Sequence, residues 1–167
     1  MRQRILIGKL SCFYGRNSNM TNEENTLYLY CLTYSGVPVP EGVGVDGQSA
    51  IVVHEFNGIA VLMSVLPQEA FCGADAEARL QDLTWIAPRA LRHEQVIEQV
   101  MSGAPVLPVQ FGTLFRTLDS LQSVVQKNTE AIRQFLDETS EREEWSVKVL
   151  MSRKYLNTSF RHILSCR

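Results

Sequence analysis

Three histidines, His54, His93 and His162, and four cysteines, Cys12, Cys31, Cys72 and Cys166, are the first candidates for chemistry in this 167-residue chain. An imidazole moves protons near neutral pH, and a thiolate attacks carbonyls or ligates metals. Their spacing does not favour either use. No two cysteines form a CxxC pair, which removes the zinc and redox patterns. The histidines are too scattered for the short ligand spacing of a metal site. His54 falls in an expected strand and His93 on the apolar side of an expected helix, so each reads as a hydrogen-bonded, partly buried histidine. The cysteines read as free thiols in a reducing cytosol, which makes the expected location cytoplasmic. One chemical alternative stays open: a small-molecule-binding or enzymatic α+β domain using His54, His93 or Cys72.

Other motifs are weaker. The stretch "GVGVDG" carries Gly42, Gly44 and Gly47, but it lies in a proline-bearing loop that leads into a strand. A dinucleotide cradle needs a preceding strand, a following helix and GxGxxG spacing, so the glycines read as loop flexibility. The run "EREE", Glu141 to Glu144, reads as a solvated linker, because a carboxylate pair for glycoside hydrolysis needs a set separation across a cleft. No G-x-S-x-G, Walker or H-E-x-x-H motif is present. The sequence therefore offers no catalytic residue, cofactor site or metal site.

The elements that would position these residues are clearer. "TLYLYCLTY", Thr26 to Tyr34, is rich in aromatic and β-branched residues and apolar on both alternating faces, as a central strand is. "AIVVHEFNGIAVLMSV" places Asn57-Gly58 between two apolar runs, the signature of a two-residue type I′ hairpin joining 50–56 to 59–65; Pro67 then closes the second strand. From Asp75 the pattern turns helical. "DAEARLQDL" reads as a short helix capped by Asp75. "TWIAPRALRHEQVIEQVMSG" reads as a longer one, with Thr84 as cap, Pro88 in the first turn and Gly103 as stop. Ile86, Ala90, His93, Ile97, Val100 and Met101 line its apolar side. After a strand at 105–111, Leu118, Leu121, Val125, Ile132, Phe135 and Leu136 mark one helix over 117–138. Strand character returns at Glu144–Met151.

"VLPVQFGTLF", Val106 to Phe115, is the least ordinary segment. Pro108 cannot donate to a sheet ladder, so this strand belongs at an edge, with one side open or bulged. Gly112 permits a sharp exit that carries Thr113 and Phe115 out beside the sheet. An open edge with Phe111 and Phe115 nearby is a place for a partner. Pro108, Phe111, Phe115 and Trp145 are the candidate partner-binding residues.

The whole chain sets the outer bounds. Its 45% hydrophobic and 20% charged residues are ordinary for a globular domain. A net charge of −2 gives no electrostatic case for nucleic acid. No run approaches the roughly 18 apolar residues of a membrane span, and Lys9 breaks the apolar stretch that a secretion signal would require. The order of elements implies an α+β fold: an antiparallel or mixed four-stranded sheet with helices packed on one face, ferredoxin-like in character. Residues 1–19 read as a non-essential extension and 20–140 as the folded domain.

Five blocks, "TLYLYCLTY", "AIVVHEFNGIAVLMSV", "LTWIAPRALRHEQVIEQVM", "GAPVLPVQFGTLF" and "EREEWSVKV", occur in an order that closely resembles the gas vesicle proteins of the GvpL/GvpF family. The resemblance spans roughly residues 26–150. It implies a non-enzymatic accessory or minor component of gas vesicles, the hollow shells that give microbial cells buoyancy. The partners it implies are the hydrophobic shell subunit, bound during nucleation and kept from aggregating, and other gas vesicle accessory proteins. Family members look two-domain, with "EW-S-VKV" opening the second domain. Here 16 residues follow Met151, so 141–167 reads as the first strand and remnant of a truncated second domain.

Overall fold

The computed structural model of the protein describes residues 25–72 and 75–140, apart from the side chain of Glu77. The strand expected at Glu144–Met151, Trp145 with it, and the segments 1–19 and 141–167 lie outside these residues. Strand β1 (Asn25–Tyr34) is followed by the hairpin β2 (Val52–Phe56) and β3 (Ile59–Pro67) and a single 3-10 turn at Gln68–Ala70. Helices α1 (Ala76–Gln81) and α2 (Leu83–Met101), short strands β4 (Val106–Pro108) and β5 (Leu114–Phe115), and helices α3 (Leu118–Lys127) and α4 (Thr129–Ser140) complete the order. The sheet runs β2-β3-β1-β4, with β5 also pairing β1, and every pairing is antiparallel.

The hairpin forms where Asn57-Gly58 directs it. Both residues take positive φ, 52° and 80°, as the two central positions of a type I′ turn require. The central strand is β1, and its two apolar faces explain the layering. Tyr28, Tyr30 and Cys31 pack with Leu62, Leu66, Phe71, Val96, Ile97 and Val100, so α2 covers one face. Leu29 and Leu32 pack with Ile59, Val61, Met63, Leu121, Val125, Ile132 and Leu136, so α3 and α4 cover the other. The helices are thus divided between both faces rather than gathered on one. A strand that is apolar on both sides needs a layer against each.

Local chemistry moves three helix boundaries. The cap of α2 is Asp82, not Thr84: its carboxylate accepts from the Thr84 N–H at 2.8 Å and the Thr84 hydroxyl at 2.7 Å. Pro88 consequently lies in the second turn of α2, not the first, and both it and Thr84 are exposed. The helix expected over 117–138 is two helices. Asn128 separates them, with its side-chain amide donating to the Val124 carbonyl at 2.8 Å while the Thr129 hydroxyl donates to the Val125 carbonyl at 3.0 Å. Side chains that bond the backbone of the preceding turn compete with helix continuation. Upstream, Thr117 and Ser120 form a reciprocal capping box that starts α3. The α2 stripe is buried through His93, Val96, Ile97 and Val100, whereas Met101 is exposed.

Candidate functional site

The segment Val106–Phe115 does not leave the sheet at Gly112; it rejoins it. Strand β4 pairs Val106–Pro108 with Thr33–Cys31, and β5 pairs Leu114–Phe115 with Tyr28–Leu27. Between these pairings, five residues, 109–113, stand opposite two, Leu29 and Tyr30. The excess bulges over β1 and is still tied to it: Val109 N–H donates to the Tyr30 carbonyl at 3.1 Å and Leu29 N–H to the Thr113 carbonyl at 3.0 Å. A turn closes by Thr113 N–H to the Gln110 carbonyl, 3.1 Å, with Gly112 third at φ 83°. That position favours glycine in a type II turn. Strand β1 carries its own irregularity beside it, because the register with β3 shifts between Leu29 and Cys31. Tyr30 is the extra residue, so Tyr30 and Cys31 both face α2.

Two directional hydrogen-bond chains run beneath the sheet edge, and the first of them locks the bulge. His93 Nε2 lies 3.3 Å from the Val109 carbonyl, which can only accept, so this nitrogen carries the proton. Burial lowers the His93 pKa, keeping the ring neutral. Its Nδ1 is then an acceptor, and the Tyr28 hydroxyl donates to it at 3.0 Å. The Tyr28 oxygen in turn accepts the Gly112 N–H at 3.2 Å. In the second chain, Val45 N–H donates to the Tyr30 hydroxyl at 2.8 Å, Tyr30 to Ser64 Oγ at 2.9 Å, and Ser64 to the Ala50 carbonyl at 2.8 Å. Burial raises both tyrosine pKa values and pushes the Cys31 thiol up to about 12. Groups held this way stay protonated and fix backbone positions. They are not poised to exchange protons with a substrate.

The second chain also corrects the reading of the glycine-bearing loop, which is pinned. Gly44 N–H donates to the Ser49 carbonyl at 2.7 Å and Gly47 N–H to the Gly44 carbonyl at 2.9 Å. A Cβ on Gly44 would stand 2.5 Å from Ser64 Oγ. Glycine is needed there for room.

The fold separates the two described histidines of the chemical alternative. His93 is buried in the α2 layer. His54 is exposed on β2 and shares its alternating face with Phe56, which packs into the α3–α4 layer. The sheet stands between them. Cys72 follows the 3-10 turn and is half-buried. Among the described residues no group of three or more His, Cys, Asp or Glu side chains could hold a metal ion.

Of the partner-binding candidates, Pro108 is exposed on the outer strand, opposite Cys31. Because Val109 bonds Tyr30, the alternation of an antiparallel ladder makes Cys31–Pro108 a pair without mutual hydrogen bonds. The missing N–H of Pro108 therefore belongs to the outer side. Phe111 and Phe115 do not form one patch. Phe111 packs half-buried on the α2 side, with ring centroids 5.7 Å from His93 and 6.1 Å from Tyr28. Phe115 packs half-buried on the α3–α4 side, where Leu27 also lies. Sequence reasoning did not single out Tyr28, Tyr30 or Ser64; the available signal was the polar tips on an otherwise apolar strand.

A small antiparallel sheet between two helical layers, with its buried polar groups committed to holding an edge bulge and a neighbouring loop, defines a three-layer α+β domain. The sequence matches the family described as gas vesicle synthesis protein GvpL/GvpF over residues 26–163. This chain belongs to that family. It is 30% identical over 125 residues to gas vesicle protein L of Streptomyces sp. (strain CB03234), a match covering 73% of this chain and 46% of the relative. Its fold is similar to the crystal structure of the gas vesicle protein GvpF from Anabaena sp. PCC7120. That likeness has a TM-score of 0.54 and 21% identity, over 70% of this chain and 44% of that one. The GvpF structure from Microcystis aeruginosa aligns with a TM-score of 0.49 and 23% identity, over 69% of this chain and 44% of that one. The chain thus spans less than half the length of these relatives. No described helix is long and apolar enough to cross a membrane.

Proposed function

We propose that this chain acts in gas vesicle assembly by engaging the hydrophobic shell subunit along the β4–β5 edge, holding it during nucleation and limiting its aggregation. The observation that carries this reading is the outer side of β4, where Pro108 is exposed and, among the described residues, no further strand pairs. An unpaired edge is a template for another chain. Pro108 removes one outward donor, which blunts pairing between copies and leaves a ladder too short to hold a client permanently. Phe111 and Phe115 flank the edge from its two faces, and Trp145 is the fourth proposed contact. The family's role in gas vesicle synthesis supplies the context. Other gas vesicle accessory proteins are the further partners in this reading.

The test is co-expression of the tagged chain with the shell subunit, followed by affinity purification. Recovery of a soluble complex supports the reading; a shell subunit that aggregates equally with and without the chain contradicts it.

A further inference from the structure

We infer that a second surface, formed by Arg79, Arg89, Arg92 and Trp85, docks a short acidic peptide segment of a partner protein. It is separate from the β4–β5 edge and independent of the reading given for that edge. Arg89 stacks its guanidinium over the Trp85 ring at 4.1 Å, with Nη1 donating to the Trp85 carbonyl at 2.9 Å. Trp85 is itself braced on the core: its ring meets Phe71 at 5.2 Å, and Phe71 meets Tyr28 at 5.1 Å. Arg92 lies against the backbone of the pinned loop, since a Cβ on Gly47 would stand 3.1 Å from its Cζ. Arg79 and Arg92 are close enough to Arg89 to act on its charge.

This concentration of positive charge is not matched by an ion pair among the described residues. Among the described residues the ion pair formed is Arg133 with Glu130 at 4.0 Å, on another element, and none of the three arginines has such a partner. Asp46 is an acidic influence on Arg89. Its carboxylate is already taken up by the Gln48 and Ser49 N–H groups and the Ser49 hydroxyl at 2.6–3.0 Å. Arg89 Nε is buried with no acceptor, an uncommon state for a buried donor; it lies out of a partner's reach, so a docked carboxylate would meet the remaining N–H groups at the Nη end. A guanidinium held rigidly with free donors matches a planar carboxylate through paired N–H bonds, and its prior immobilisation lowers the entropy cost of binding. Nucleic acid is the poorer fit, because the chain carries 18 acidic residues against 16 basic ones and lacks the broad basic footprint of such binders. A segment with a few adjacent carboxylates suits three clustered arginines.

The experiment is a fluorescence-anisotropy titration of a labelled oligoglutamate peptide with the full chain. Variants are Arg89→Gln, Arg92→Gln and their combination, with Arg116→Gln and Lys127→Gln as controls on other elements. Binding that weakens about tenfold or more in the double variant, with both controls unchanged and all melting curves superimposable, is the expected result. Three results overturn the inference: no binding by the native chain, equal loss in the controls, or tighter binding of an oligonucleotide or of inorganic pyrophosphate than of the peptide. Because Arg92→Gln alone removes an exterior contact, it keeps the test decisive if Arg89→Gln unfolds the chain. Shell-subunit recovery with the same variants should not change, which separates this surface from the β4–β5 edge.

Discussion

The Tyr28 hydroxyl donates to Nδ1 of His93 at 3.0 Å, although 65 residues separate them in sequence. Through this bond the central strand and helix α2 jointly hold Val109 and Gly112 of the bulge at the sheet edge. Tyr28→Phe keeps the ring but strands the Gly112 N–H and removes the donor to His93. Loss of two buried partners should cost about 2–4 kcal/mol, read from the urea midpoint at unchanged slope. A loss below about 0.5 kcal/mol would show that water satisfies these groups and that the chain is not a lock.

The same histidine sets a pH dependence. Burial holds its folded pKa below the ordinary 6.5. Between those two values the unfolded chain binds a proton at His93 that the folded chain refuses, so stability rises with pH there. The contribution is complete above about 6.5 and is lost as pH falls toward the folded pKa. His93→Gln preserves a donor and an acceptor but cannot titrate. Its stability should therefore change less between about pH 7 and 5 than that of the native chain, with His54 and His162 common to both. Parallel pH profiles would contradict the buried neutral ring.

Gly44→Ala places a methyl 2.5 Å from Ser64 Oγ and 2.8 Å from the Tyr30 hydroxyl, both fully buried. Overpacking at this junction should destabilise by about 1–3 kcal/mol. Gly103→Ala meets nothing within 4 Å and serves as the control, with thermal melts as the readout. Equal melting temperatures would mean the loop moves aside, and the pinning described for it would be wrong.

Pro108→Val restores a donor to the outer side of β4. An edge with its donors complete recruits other strands, so this variant should shift toward dimers or larger species in size-exclusion chromatography. A monomer profile identical to the native one would show that Pro108 does not guard the edge.

Several of these relationships were open to sequence reading, and the reason is local. The double apolar face of Thr26–Tyr34, the Asn57-Gly58 turn and the buried stripe of α2 each depend on neighbours within a few residues. His93 was legible as a satisfied interior histidine from its place on that stripe. The two-sided layering was implicit in β1 but needed the three-dimensional count of helices. The register shift at Tyr30, the return of the chain at Leu114 and the break at Asn128 were not legible, because each depends on a partner outside its own period. Arg89 and Arg92 look like ordinary solvent-facing residues in sequence; only Trp85 beneath one and Gly47 beneath the other make them a surface.

The central claim is that the β4–β5 edge, rather than the opposite edge at β2, receives the shell subunit. Both edges carry an exposed residue, Pro108 on β4 and His54 on β2. A carboxylate on a strand edge opposes pairing with an apolar chain. The measurement is affinity of the shell subunit for Pro108→Asp and His54→Asp, each compared with the native chain under the same conditions. The expected result is a loss of about tenfold or more for Pro108→Asp and none for His54→Asp. Equal affinity in Pro108→Asp, or a loss confined to His54→Asp, would contradict the account.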